Sequence, residues 1–119
     1  MVVDDTADVR ELMALELRSQ GYDVVEAADG REAVELAKQK CPDLILMDIQ
    51  MPEVDGLEAA RLIREIKGLC RMPIVAFSAY GYGETNKWRA LDAGCDEYVN
   101  KLEGINRLPD IVGRHLRAA

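Results

Sequence analysis

The sequence has little of what a hydrolytic triad or a metal–thiolate centre needs. It holds one histidine, His115, so any Ser–His–Asp or Cys–His arrangement would have to be built on it. His115 falls on an expected helix near the C-terminus, with no nucleophile motif beside it, and reads as a partly exposed helix residue. The three cysteines, Cys41, Cys70 and Cys95, are odd in number and lack metal-ligand spacing. They read as reduced thiols that fill space as small hydrophobes. No apolar run approaches the ~18 residues a membrane-spanning helix needs. No basic segment followed by an apolar stretch marks a secretory leader. A cytoplasmic protein with no membrane partner is therefore expected. Lys and Arg number 15 against 22 Asp and Glu, a net charge of −7, which argues against a direct nucleic-acid partner, since that needs a basic face. Repeats, low-complexity tracts and linkers are absent. The 119 residues suffice for one domain, expected over residues 1–119, either alone or cut from a longer protein.

What is present is an alternation of short apolar runs with helical periods. Met1 to Val3 is a very short run ending in Asp4-Asp5. Val9, Leu12, Met13 and Leu17 follow at helical spacing, and Gly21 stops that helix. Tyr22 to Ala27 reads as a strand. Asp29 is a suitable N-cap for a helix carrying Ala33, Val34 and Ala37. The run from Asp43 to Asp48 is nearly continuous in apolar residues, as a central parallel strand buried on both faces should be. A third helix starts near Asp55 and carries Leu57, Ala60 and Ile63. Gly56 relieves backbone crowding at its start. Pro73 to Phe77 is a fourth strand, Thr85 to Ala93 a helix ended by Gly94, and Glu97 to Val99 a fifth strand. Leu108, Ile111, Val112 and Leu116 mark the last helix, with Asn106 as its N-cap and Pro109 in its first turn. Five strands alternating with five helices predict an α/β fold, a parallel sheet covered on both faces.

In such sheets ligands bind beyond the carboxyl ends of the strands. Asp4-Asp5 stands there after strand one, Asp48 on strand three, Ser78 after strand four and Lys101 after strand five. Grouped carboxylates repel each other, and a divalent cation relieves the repulsion. Mg²⁺ takes about six oxygens at about 2.1 Å. Asp5 and Asp48 can ligate directly, Asp4 directly or through water, and the Gln50 backbone carbonyl can complete the set. With no histidine or thiolate nearby, zinc and copper fit less well. Asp48 can act as a carboxylate nucleophile on phosphorus. The Lys101 ammonium would offset charge on the transferred group, and the Ser78 hydroxyl would donate to it. The Ser78 contact exists only in the modified state, so it can shift conformation.

At these residues a resemblance emerges. The chain resembles a receiver domain of the two-component response-regulator family over nearly its full length. The matching segments are Val2-Val3-Asp4-Asp5, Leu44 to Gly56 around Asp48-Ile-Gln-Met-Pro, Pro73 to Ala79 around Ser78, and Ala93 to Lys101. The resemblance implies a doubly wound, flavodoxin-like (βα)5 fold with strand order 2-1-3-4-5. It implies Mg²⁺ held by Asp4, Asp5 and Asp48, with Ser78 and Lys101 contacting phosphate. Asp48 would be phosphorylated from a phosphohistidine on a sensor histidine kinase or a histidine phosphotransfer domain. The domain would catalyse its own phosphorylation and slow dephosphorylation without being a conventional turnover enzyme. Tyr98 matches the aromatic switch position, whose ring turns inward as Ser78 engages phosphate. The face of helix four, strand five and helix five is the usual output surface, toward an output domain or a second copy in a homodimer. In this family the lysine is usually followed by proline, often through a cis bond; here Leu102 follows Lys101. A cis bond before leucine costs about 2.5–4 kcal/mol, against about 0.5–1 before proline, so either the bond persists at that cost or Lys101 is held differently. One or two apolar residues normally precede Val2, so strand one is expected to be clipped.

Around the site, Gln50 and Tyr80 would flank the phosphate and tune hydrolysis. The Ser78-to-Gly83 segment, with Tyr82 between two glycines, is compliant. Trp88 on helix four fits a partner anchor or a half-buried packing residue equally. Three other functions are weighed. An aspartyl-phosphate phosphohydrolase would want an acid where Gln50 stands. A flavin carrier would want a hydroxyl- and glycine-rich loop where Asp4-Asp5-Thr6-Ala7-Asp8 stands. A receiver-like interaction module independent of phosphorylation would not need the acidic set.

Overall fold

Successive residues of a strand point to opposite faces of its sheet, and that alternation sorts the core of this protein into two halves. The computed structural model describes residues 1–49, 56–66, 72–78 and 84–117. The expectations placed on Gln50, Asp55, Cys70, Tyr80, Tyr82 and Gly83 lie outside the described residues. Five strands, β1 (Val2–Val3), β2 (Glu26–Ala27), β3 (Ile45–Asp48), β4 (Ile74–Ser78) and β5 (Glu97–Asn100), form one sheet in the order β2-β1-β3-β4-β5. Every pairing is parallel. The helices are α1 (Ala7–Ser19), α2 (Gly30–Lys40), α3 (Gly56–Glu65), α4 (Glu84–Asp92), α5 (Lys101–Gly104) and α6 (Leu108–Arg117), with a 3₁₀ turn at Ile105–Arg107. This is the flavodoxin-like, doubly wound arrangement.

Val2, Leu46, Val75 and Phe77 face α1 and α6, where they meet Met13, Leu17, Leu108, Ile111 and Val112. Val3, Ala27, Ile45, Met47, Ile74 and Ala76 face α2, α3 and α4. The second half is rich in alanine: Ala33, Ala37, Ala59, Ala60, Ala90 and Ala93 are all buried there. Each fully buried Ile, Val or Phe contributes roughly 1.5–3 kcal/mol, so both faces stabilise the sheet.

Local signals explain most boundaries. The Asp29 carboxylate accepts from Glu32 N at 2.8 Å and caps α2. Gly21 and Gly94, at φ +92° and +105°, turn the chain after α1 and α4. A Cβ at Gly56 would collide with the Asp48 carbonyl, so the start of α3 needs glycine there, as the sequence suggests.

Three expectations are corrected, and one pair of alternatives, for Trp88, is narrowed. Tyr22 to Ala27 is not all strand: only Glu26–Ala27 joins the ladder, because the neighbouring β1 offers just two paired residues. Asn106 is not a helix N-cap, since it lies inside the 3₁₀ turn. The helical path begins five residues earlier, at Lys101, and Pro109 sits in the first turn of α6, where its missing N–H costs little. A Cβ at Gly104 would stand 2.7 Å from Phe77 Cε1, so glycine lets α5 settle directly on the core. Cys41 is not a reduced thiol but is disulfide-bonded, whereas Cys95 is free and buried; sequence spacing carries no information about which sulfurs approach in space. Trp88 is not half-buried: it is 68% exposed.

Candidate functional site

The carboxyl ends of the strands gather the charged groups. Asp4 follows β1, Asp48 ends β3, Ser78 ends β4, and Lys101 directly follows β5. The ladder places Ser78 beside Asn100 and Asp48 beside Phe77. Asp4, Asp48 and Ser78 are buried polar residues, while Asp5 is exposed on the bend after β1. One oxygen from each of Asp4, Asp5 and Asp48 lies within 4.8 Å of the others.

Lys101 reaches into this group. Its Nζ stands 2.6 Å from Asp4 Oδ2 and 3.4 Å from Asp48 Oδ2. Burial pulls the ammonium pKa down, but the hydrogen bond to Asp4 and the charges of Asp48 and Asp4 outweigh it, so the pKa rises above its ordinary value. Lys101 is therefore held as a cation. No cis peptide occurs among the described residues, and the Lys101–Leu102 peptide lies inside α5. Leucine after the lysine is thus accommodated by starting a helical turn at once, the second of the two alternatives.

The donor set can be tested against the group it suggests. Octahedral Mg²⁺ ligands at about 2.1 Å are about 3–4 Å apart. Three carboxylate oxygens within 4.8 Å are close enough for small side-chain adjustments to bring them onto one hard cation. All are oxygens, as Mg²⁺ prefers. The residues present fit Mg²⁺. Gln50, whose carbonyl the sequence adds to this set, lies outside the described residues.

The opposite end of the sheet offers a contrast. A cavity of about 390 Å³, lined by Met1, Tyr22, Pro42, Leu44 and Leu116 among others, opens at the amino ends of the strands. It lies away from the acids.

The fold matches one family, and the match extends along the chain. The family described as response regulator receiver domain matches residues 1–113. The chain belongs to that family. This receiver domain is 32% identical over 116 residues to the polar-differentiation response regulator DivK of Brucella ovis, covering 98% of this chain and 94% of that protein. Among solved structures, a LuxR-family two-component response regulator from Aurantimonas sp. SI85-9A1 is 36% identical, with TM-score 0.86 over 99% of this chain and 84% of that one. The receiver domain of the histidine kinase CKI1 from Arabidopsis thaliana, solved with Mg²⁺, is 31% identical, with TM-score 0.83 over 95% of this chain and 88% of that one.

The structure brings Asp4, Asp5, Asp48 and Lys101 together, and it sets Ser78 on the adjoining strand end. Tyr98 lies on β5, beside Ala76 on the alanine-rich face. Sequence reasoning missed several partners. Thr6 N donates to Asp4 Oδ1 at 2.9 Å, and Arg10 Nη1 donates to the Asp4 carbonyl at 2.9 Å. Arg64 on α3 ties down two connecting segments, donating to Met72 O before β4 and to Gly94 O and Asp96 Oδ2 between α4 and β5. His115 and Arg114 both reach Glu97, which gives the lone histidine a structural partner. Only Arg10 carried a sequence signal: it follows the acid pair at a spacing that puts it in the first turns of α1.

Proposed function

We propose that this receiver domain is a phosphorylation switch in which Asp48 accepts a phosphoryl group from a phosphohistidine on a sensor histidine kinase or a histidine phosphotransfer domain. The observation that carries this reading is the convergence of Asp4, Asp5, Asp48 and Lys101 at one sheet edge, in a chain of this family. Asp4, Asp5 and Asp48, with the Gln50 carbonyl, would hold Mg²⁺. When bound, the ion supplies charge neutralisation for carboxylates and phosphoryl oxygens. The Mg²⁺ complex of the similar CKI1 receiver supports that assignment.

An Asp48 carboxylate oxygen attacks phosphorus, the phosphorus–nitrogen bond breaks, and the imidazole leaves with the bonding pair. Lys101, already within reach of Asp48, pairs with a phosphoryl oxygen, and the Ser78 hydroxyl donates to another. Tyr98 then turns with Ser78, and the change reaches the face of α4, β5 and α6. Trp88 and Leu91 of α4 are exposed on the surface, as a contact face for an output domain or a second copy requires. Tyr80 and Gln50 would tune hydrolysis of the acyl phosphate. The domain is read as the unit 1–119, working in the cytoplasm. No described helix is long and apolar enough to cross a membrane. The Cys41 disulfide is unusual for a reducing compartment, so thiol trapping in fresh lysate tests the localisation.

The direct test is incubation with Mg²⁺ and acetyl phosphate, followed by intact mass measurement. The expected result is a gain of one phosphoryl group that EDTA or Asp48→Ala abolishes. No gain with any donor would overturn the reading and leave a phosphorylation-independent interaction module.

A further inference from the structure

Asp4 is bonded through every polar atom it has. Its N donates to Ala27 O at 3.1 Å, Oδ1 accepts from Thr6 N and Oδ2 pairs with Lys101. Its carbonyl lies past the end of β1 and accepts from Arg10 Nη1 at 2.9 Å. That carbonyl belongs to the peptide unit joining Asp4 to Asp5. A peptide unit is planar, so fixing its C=O sets ψ of Asp4, and with the chain beyond held by the Thr6 N to Asp4 Oδ1 bond it also restricts φ of Asp5. The guanidinium is in turn oriented: Arg10 Nε stands 3.4 Å from Glu26 Oε1 on β2. Arg10 is mostly covered, with 17% of its side chain exposed, so this is not a waving surface cation. Asp5 by contrast is exposed, and the backbone torsion beneath it sets where its carboxylate points.

We infer that Arg10, oriented by Glu26, is a positioning residue of the cation site, locking the Asp4–Asp5 peptide so that both carboxylates converge with Asp48. This rests on reading the three acids as a divalent-cation site. Charge and position act in opposite directions here. A guanidinium near a cation site repels the cation, so if Arg10 acted by charge alone its removal would tighten Mg²⁺ binding. If Arg10 acts by position, its removal weakens binding. A purely structural stitch between α1 and β2 would change stability and leave affinity alone.

The experiment is calorimetric titration of Mg²⁺ into the full chain and its Arg10→Gln, Arg10→Lys, Glu26→Gln and Arg18→Gln variants, each checked for folding by circular dichroism. Arg10→Gln is expected to weaken Mg²⁺ by about tenfold, the low end for residues that orient metal ligands. Arg10→Lys can still donate to the Asp4 carbonyl and should recover part of the loss. Glu26→Gln should weaken binding less, in the same direction. Arg18→Gln, which touches Glu26 but not Asp4, should leave affinity unchanged. Unchanged or tighter Mg²⁺ binding in Arg10→Gln overturns the inference. Should that variant fail to fold, unchanged affinity in both Arg10→Lys and Glu26→Gln overturns it instead. A wild-type chain that binds Mg²⁺ but takes no phosphoryl group sinks the phosphoacceptor reading and leaves Arg10 in its role. A wild-type chain that binds no Mg²⁺ overturns both.

Discussion

Replacing Lys101 with methionine keeps the apolar stem and deletes the charge. Lys101 Nζ lies 2.6 Å from Asp4 and 3.4 Å from Asp48, with 13% of its side chain exposed against 2% and 6% for the two acids. At an effective dielectric of about 20, those separations correspond to gross attractions of about 6 and about 5 kcal/mol. Desolvation cancels most of that sum, and deleting one partner of a buried ion pair typically costs about 3–5 kcal/mol. Because Asp5 keeps the site open to water, we expect Lys101→Met to destabilise the metal-free protein by about 3 kcal/mol. Saturating Mg²⁺ should remove most of that loss, since the ion supplies the missing positive charge and stabilises only the folded chain. Mg²⁺ should bind the variant at least as tightly as the wild type, while phosphate-dependent signalling weakens. Urea unfolding midpoints with and without Mg²⁺ read both effects. An equal stability loss in the two conditions would refute the argument, because it would mean that Lys101 acts through packing and not through its charge on the acids.

Gly56→Ala drives a methyl group into the Asp48 carbonyl, and backbone cannot yield as a side chain can; a loss of about 3 kcal/mol or more in thermal or urea unfolding is expected. Burial pushes the Cys95 thiol from 9.0 to about 11. A folded-state pKa above the unfolded one gives stability that is full below about pH 9 and lost as pH rises to about 11, up to about 2–3 kcal/mol. Denaturant titrations at pH 8 and pH 11 should show that loss in the wild type and a smaller one in Cys95→Ala; identical pH profiles would count against it.

Much of this fold was legible because its signals are local. The apolar run before Asp48, the Asp29 cap and the turns at Gly21 and Gly94 each depend on neighbours a few residues away, and each stands where the sequence puts it. The acids, Ser78 and Lys101 could be assigned to one sheet edge because a parallel sheet sends every strand end the same way. The partners within that edge were not legible. That Lys101 lies closer to Asp4 than to Asp48, and that Arg10 bonds the Asp4 carbonyl, depend on how three strand ends are spaced in the finished sheet. Gly104 shows the same limit from the other side. Local propensity reads glycine as a poor helix residue, yet a Cβ at this position would run into Phe77, a neighbour distant in sequence that local propensity does not see. The short extent of β2 has a similar cause: the length of an edge strand is set by the partner it pairs with.

The alanines on one side of the sheet carry a mechanical consequence. A methyl group has no side-chain torsion to rotate, so a contact layer built from Ala76 on β4, Ala90 on α4 and Ala93 just beyond it has no slack of its own. On the opposite face, Phe77, Met13 and Leu17 can take up a displacement by changing rotamer. A displacement at the tip of β4 would therefore be taken up more readily by rotamer changes on the α1 and α6 side than by these methyl groups on the α4 side.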